Sequence, residues 1–232
     1  MSTDHFADQA ARYDASCPPM HEAETVEFLA ALAGDGRALE LGIGTGRIAL
    51  PLAARGVPVA GIDLSGPMVE QLRTKPGGAD VPVEIGDFAT TRVDGTFRLV
   101  YLVFNTIMNV TTQDAQVATF ENAGRHLEPG GCFVVECMVP ELRSLPWGSR
   151  YVAFSDHGID EYDVVDQGLI SHHHNPSGRW SIPFRYAFPA EYDLMARIAG
   201  MRLRERWDDW SRTPFTSESR KHISVWEKRE GR

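Results

Sequence analysis

The sequence predicts an α/β fold: a largely parallel sheet with helices on both faces. Three observations predict it. Short apolar segments alternate with amphipathic ones over residues 37–138, as strands and helices do around a parallel sheet. The first apolar segment, Ala38-Leu39-Glu40-Leu41, runs into glycines at alternate positions, Gly42, Gly44 and Gly46, and the second, Val59-Ala60-Gly61-Ile62, ends in an acid, Asp63. The run from Leu99 to Phe104 is continuously apolar, as a central strand buried on both faces requires.

The elements follow in order. Residues 5–16 place Phe6, Ala10 and Tyr13 at helical spacing, and Pro18-Pro19 stops any helix they form. A second helix, about 21–34, carries Val26, Phe28, Leu29 and Leu32. The first strand, about 37–42, leads to a helix over about 45–55 with Arg55-Gly56 as its C-cap. After Asp63 and Leu64, Ser65 can cap a helix over about 66–74, which puts Met68 in its first turn. A third strand, about 81–86, ends at Gly86-Asp87-Phe88, and the fourth delivers Phe104, Asn105, Thr106 and Asn109 to the loop beyond it. A helix over 113–126 and the turn Leu127-Glu128-Pro129-Gly130-Gly131 precede a fifth strand, Cys132–Met138.

From Pro140 to about Pro189 the pattern changes to aromatic and β-branched runs broken by Gly, Pro and Asp, which reads as an antiparallel insertion. The segment 189–200 is a helix with proline at its start and glycine at its end. Met201–Trp207 and Ile223–Trp226 then read as closing strands, bringing the sheet to about seven, joined by a polar loop containing Pro214.

Composition bounds the function classes. The chain of 232 residues is 43% hydrophobic and 24% charged, enough for a substantial core, and residues 1–232 read as a single domain. Its formal charge of -9 disfavours a general nucleic-acid surface. Arg202, Arg204 and Arg206 are the nearest thing to a basic patch, sharing one face of a strand, and a solvated face is the simpler reading. Three cysteines make no disulfide framework, and Cys132 and Cys137, five apart in one strand, point to opposite faces. With no signal-peptide pattern and no apolar run near membrane-spanning length, a cytoplasmic location is expected.

The glycine spacing bears on the ligand. A dinucleotide loop has its third glycine where this chain has Arg47, because helix and strand approach closely there. Gly42, Gly44 and Gly46 instead allow positive φ angles and close approach of a ligand. Asp63, at the carboxyl end of the second strand, is placed to accept both hydroxyls of an adenosine ribose. The residues Glu40-Leu41-Gly42-Ile43-Gly44-Thr45-Gly46, Gly61-Ile62-Asp63-Leu64-Ser65, Gly86-Asp87-Phe88 and Leu127-Glu128-Pro129-Gly130-Gly131 resemble the ordered motifs of class I S-adenosylmethionine-dependent methyltransferases.

The resemblance implies a Rossmann-like mixed sheet, a helical lid over residues 1–36 and a cap insertion over about 140–189 that shapes the acceptor pocket. It implies S-adenosylmethionine as cofactor, S-adenosylhomocysteine as product, and in-line methyl transfer to nitrogen or oxygen of a small molecule. Glu40 and the glycine loop would hold the methionine part, Asp63 the ribose, and Asp87 with Phe88 and Met68 the adenine, with Leu64 and Gly86 also in the cofactor site. Tyr13, Phe104 and Asn105 would stand near the cofactor, with Tyr13 and Asn105 closest to the transferred methyl. Asn105-Thr106-Ile107-Met108 departs from the Asn/Asp-Pro-Pro-aromatic motif of nucleic-acid amino-methyltransferases, which favours a small acceptor.

Some alternatives stay open. Glu136 is either a pocket group or a residue facing a polar partner in the sheet. His172 and His174 share a strand face, but the sequence supplies no convincing third metal ligand, and a pocket base is the stronger reading of His172-His173-His174. Cys17 and His21 have helical ligand spacing, which Pro18 and Pro19 undo. A nicotinamide-dependent oxidoreductase and a non-catalytic cofactor-binding or interaction protein are the rival functions. The oligomeric state is not legible.

Overall fold

The computed structural model describes residues 10, 13–16, 21–175 and 178–229. Phe6, Arg12, Cys17, Pro18 and Pro19 fall outside these residues, and with them the spacing read across 5–16 and the Cys17 half of the Cys17/His21 pair.

The chain runs α1 (Tyr13–Ser16), α2 (Glu22–Ala33), β1 (Ala38–Leu41), α3 (Ala49–Ala54), β2 (Val59–Asp63), α4 (Gly66–Thr74), β3 (Val83–Ile85), β4 (Phe97–Leu102), α5 (Gln113–His126) and β5 (Leu127–Met138). A cap of β6 (Tyr151–Ser155), β7 (Gly158–Asp163), β8 (Gly168–Asn175) and β9 (Gly178–Arg185) follows, then α6 (Pro189–Ile198), β10 (Met201–Trp207) and β11 (Lys221–Lys228). The main sheet has seven strands in the order β10-β11-β5-β4-β1-β2-β3. β1 to β5 pair in parallel, and β11 enters antiparallel between β5 and β10. This is the expected mixed sheet, with the cap as a separate four-stranded antiparallel sheet.

Strand alternation splits the buried side chains into two cores, one on each face. Leu39, Leu41, Val100, Phe133 and Val135 look one way with Phe120 of α5 and Tyr192 of α6; Ala38, Leu99, Tyr101, Cys132 and Val134 look the other way with Phe28 and Leu29 of α2. Cys132 and Cys137 therefore lie on opposite faces, as their spacing predicts, and both thiols are free. Phe120 meets Phe133 and Trp226 edge-on at 5.1 and 5.3 Å, and burying rings of this size contributes roughly 1.5–3 kcal/mol each.

Three boundaries and one register stand out as different from the sequence reading. The helix after the glycine loop starts at Ala49, because Gly46 has φ 78° and cannot belong to a right-handed helix. β4 stops at Leu102, two residues short, since Phe104 and Asn105 turn the chain with positive φ. β5 begins at Leu127, so the Leu127–Gly131 turn joins the strand through an irregularity opposite Phe97–Leu99. A register shift between Leu203 and Glu205 breaks the alternation of β10, so Arg202, Arg204 and Arg206 do not share one face. Arg202 pairs with Glu227, Arg204 donates to Cys132 Sγ, and Arg206 is held by Asp193 at 2.6 Å.

The cap is fastened where β9 ends. The buried Arg185 guanidinium donates to Gln116 Oε1 (2.6 Å), Gln167 Oε1 (2.8 Å) and Glu191 Oε1 (2.7 Å). Gln116, in α5, donates in turn to the carbonyls of Ile107, Val110 and Arg185, so one network ties cap, α5, α6 and the loop after β4. Burial opposes ionisation of Glu191, but hydrogen bonds from Gln113, Arg185 and Gln167 outweigh it and hold the carboxyl below its ordinary 4.5.

Replacing Arg185 with Ala strands these partners and is expected to cost about 3 kcal/mol or more in urea unfolding at pH 7. A carboxyl whose folded pKa is depressed stabilises the fold above its unfolded pKa, so this contribution should fade as pH falls below 4.5. The gap between the wild type and Glu191→Gln should therefore narrow over that window in unfolding measured against pH.

Candidate active site

The site is built around the loop between β1 and α3. Gly42 and Ile43 donate to the Ile62 carbonyl at 2.8 and 3.1 Å, which seats the loop on the end of β2. Gly42, Gly44 and Gly46 have φ 74°, 54° and 78°, a region costly for residues bearing a Cβ. Space is short as well: a Cβ on Gly42 would stand 2.9 Å from Thr106 Cγ2, and one on Gly44 would stand 3.3 Å from Met68 Cε. The loop is a backbone cradle whose rim is formed by Met68, Phe88 and Thr106.

Asp63, at the carboxyl end of β2, faces this cradle. Its Oδ2 accepts from Gly44 N at 2.6 Å and its Oδ1 from Ser65 N at 2.8 Å, so one carboxylate shapes the glycine loop and the entry to α4. Ser65 Oγ accepts from Met68 N, and this cap holds the methionine against Gly44. Leu64 is half-buried beside it. The end of β3 is tied in by Gly86 N, which donates to the Asp63 carbonyl at 2.8 Å. Asp87 Oδ1 accepts from Ala89 N at 2.9 Å, a turn-forming bond that presents Phe88 towards Gly42.

Glu40 lies under the loop, 4% exposed. Tyr101 OH donates to its Oε2 at 2.9 Å, and Ala49 N, at the start of α3, also donates to it. Burial drives the carboxyl up to about 8 against these bonds, with the negative charge of Asp63 adding to the rise.

The far wall is a strained turn. Phe104 and Asn105, neither of them glycine, have φ 56° and 59°, a conformation costing on the order of 1–3 kcal/mol per residue. Buried Glu136 holds it: its Oε2 accepts from Phe104 N at 3.1 Å and its carbonyl from Asn105 N at 3.3 Å. Its Oε1 accepts from Trp210 Nε1 at 3.2 Å, so Glu136 faces a polar partner and organises the wall. Asn105 is exposed, with Oδ1 accepting from Met138 N at 2.7 Å. Arg47, largely buried, pairs with Glu22 and lies 3.9 Å over the Phe104 ring.

The N-terminal segment meets the cradle through Asp14. Thr45 Oγ1 donates to Asp14 Oδ1 at 2.6 Å, Lys75 Nζ stands 2.6 Å from Oδ2, and Lys75 also donates to the Thr45 carbonyl. Half-buried Tyr13 is thereby held beside the glycine loop.

The structure thus brings Tyr13, Glu40, Gly42, Gly44, Gly46, Asp63, Leu64, Met68, Gly86, Asp87, Phe88, Phe104 and Asn105 to the carboxyl ends of β1 to β4. The histidines are elsewhere, in the cap. His172 bonds Glu161 and Ser181, His173 stacks on Trp180 at 5.2 Å, and His174 meets His157. Among the described residues no group of three or more His, Cys, Asp or Glu is placed to hold a metal, and no helix is long and apolar enough to cross a membrane. Sequence reasoning missed the Asp14 latch and Trp210. The acid directly after Tyr13 was the available signal for the first; Trp210 carried none, since only the fold brings its loop to Glu136.

Comparison with known proteins agrees with this geometry. A family described as "Methyltransferase domain" matches residues 38–131. The chain is 31% identical over 206 residues to the cypemycin N-terminal methyltransferase of a Streptomyces species, covering 84% of each. The CcbJ methyltransferase structure from Streptomyces caelestis superposes with a TM-score of 0.82 at 36% identity, covering 98% of this chain and 97% of that one. The S-adenosylmethionine-bound amino pentose methyltransferase CalS10 from Micromonospora echinaspora, 22% identical, shares the fold with a TM-score of 0.68, covering 98% and 99%. With the cradle, the acid at the end of β2 and the strand order all in place, the chain belongs to the class I S-adenosylmethionine-dependent methyltransferases.

Proposed function

We propose that this single-domain methyltransferase works in the cytoplasm on a small-molecule amine, with nitrogen as the methyl acceptor. The observation that carries the reading is the cradle itself: three positive-φ glycines, the first two packed against Thr106, Phe88 and Met68 and the middle one donating its amide to Asp63. The donor set suits S-adenosylmethionine, with a carboxylate for ribose hydroxyls, thioether and ring for adenine, and loop amides with Glu40 for the methionine part. Nitrogen is supported by the curated relative, whose name places its chemistry on an amino terminus.

The cofactor's sulfonium supplies an activated methyl and a neutral leaving group. The protein's part is therefore positioning, which can remove several kcal/mol from a barrier. Glu136 fixes the Phe104–Asn105 wall, the Asp14 latch ties the segment that carries Tyr13 to the glycine loop, and the cap covers the acceptor side. An acceptor that arrives as an ammonium must first lose a proton; the neutral amine then attacks the methyl directly and the methylated ammonium sheds its extra proton afterwards, with no covalent partner on the enzyme.

Titration calorimetry with S-adenosylhomocysteine, S-adenosylmethionine, NADH and NADPH tests the cofactor. The first two should bind and the nicotinamide nucleotides should not, and Asp63→Ala should weaken binding roughly 10- to 100-fold, as loss of charge-assisted hydrogen bonds does. Radiolabelled methyl transfer to a panel of amino sugars and dipeptides with free amino termini, against their hydroxyl analogues, tests the acceptor; product methylated only on oxygen would overturn the nitrogen reading.

Glu40 gives a pH signature. Its folded carboxyl, at about 8, holds a proton that the unfolded chain releases near 4.5, so its contribution to stability falls as pH rises between these values. The unliganded protein should lose melting temperature over that window, and Glu40→Gln should flatten the slope. An α-ammonium brought beside Glu40 would ionise it, so binding at pH 7 should release a proton, read as a buffer-dependent calorimetric enthalpy that vanishes in the variant.

A further inference from the structure

The inner face of the cap carries polar groups that the cofactor site does not use. On β7 the burial alternates, with Gly158, Asp160 and Tyr162 buried and Ile159 and Asp163 exposed. Register places Ser171 and Leu169 of β8 beside Asp160 and Tyr162, and Phe184 of β9 beside Leu169. Tyr162 and Leu169 pack in the same core as Ile107 and Met108, in the loop that follows the Phe104–Asn105 turn. This face of the cap is therefore the one turned to the crevice loops.

Among the described residues, Asp160 Oδ1 and Tyr162 OH of the cap, and Asn109 Oδ1 at the end of the turn that carries Ile107 and Met108, are buried without a well-formed hydrogen bond, the Glu141 backbone being the polar group nearest the phenol. Asp160 is 8% exposed and Tyr162 2%. Leaving such groups unpaired costs about 1–3 kcal/mol each, more for a charge, and a fold has no reason to collect three of them for stability. Two of the three oxygens, those of the carboxylate and the amide, can only accept. Their complement is a donor with several N–H bonds and a positive charge. The walls beside them, Val152, Leu169 and Phe184, are apolar.

We infer that Asp160, with Tyr162 and Asn109, forms the acceptor subsite, and that it recognises a cationic amino group carried on an apolar body. Asp160 and Tyr162 are specificity-determining residues there. The carboxylate attracts the ammonium and takes one of its protons, the N–H bond breaking as the carboxyl O–H forms. The phenol and the Asn109 carbonyl take the two remaining N–H directions of the neutral amine, whose lone pair is left for the methyl. Ser171 supports the carboxylate, and His173 and His172 are the basic side chains nearest to it. Burial holds the Asp160 carboxyl above its usual range, a cost that a bound ammonium would offset. The inference rests on the amine-acceptor reading and names how that amine is recognised.

The test uses benzylammonium chloride as probe and benzyl alcohol as its neutral match, titrated by calorimetry into the full chain loaded with S-adenosylhomocysteine. The wild type should bind the amine at least 10-fold more tightly than the alcohol. Asp160→Asn should abolish that preference and Tyr162→Phe should weaken amine binding 3- to 10-fold, with S-adenosylhomocysteine affinity unchanged in both. Because the groups are unpaired in the unliganded fold, both variants should melt at or above the wild-type temperature, whereas a structural pair would melt lower. Equal affinity for amine and alcohol, no binding of the amine, or an unchanged preference in both variants would overturn the inference. Loss of S-adenosylhomocysteine binding in the wild type would instead strike at the cofactor reading, and transfer only to oxygen at the nitrogen reading, so the failures are separable.

Discussion

The contact on which the site depends is the one between the Asp63 carboxylate and the Gly44 amide, 2.6 Å apart. A loop of three positive-φ glycines has little of its own to hold it, since each glycine brings conformational freedom that folding must remove. Anchoring its middle amide to a carboxylate at the end of the neighbouring strand turns that freedom into a defined cradle. The parallel pairing of β1 with β2, Leu41 against Ile62, brings the two ends level, so the contact follows from sheet register.

Acids do similar work at two other places. Glu40 ties the loop floor to Tyr101 of β4 and to the start of α3, and Glu136 ties the strained Phe104–Asn105 turn to β5 and Trp210. Each is a buried carboxyl group satisfied by backbone or aromatic donors, so each converts a flexible crossing into a fixed one. Together they define three sides of a crevice at the carboxyl ends of the strands, where open α/β sheets bind ligands. The fourth side is assembled from distant sequence: the Asp14 latch from the N-terminal segment and the cap fastened by Arg185.

Alternation served well wherever the backbone stayed regular. It separated Cys132 from Cys137 and His173 from its two neighbours, because side chains of successive strand residues point to opposite faces. It failed at Arg206, where a single irregularity in β10 reverses the faces beyond it. It also let the fourth strand run too long, because the apolar Val103 and Phe104 look like strand residues although Phe104 turns away with positive φ.

The sequence by itself determined the strand and helix order, the glycine cradle with Asp63 and Met68, the antiparallel cap and the family, because these rest on local patterns: periodicity, caps and glycine spacing. Tertiary structure alone decided what Glu136 does, that Trp210 and Asp14 reach the site, and that Tyr162 of the cap packs in one core with Ile107 and Met108 of the loop after β4. Those are contacts across tens of residues, from Glu136 to Trp210 or from Asp14 to Lys75, and chain closure over such distances leaves no periodic trace in sequence. Burial decides them, by requiring each enclosed polar group to find a partner wherever the fold brings one within reach.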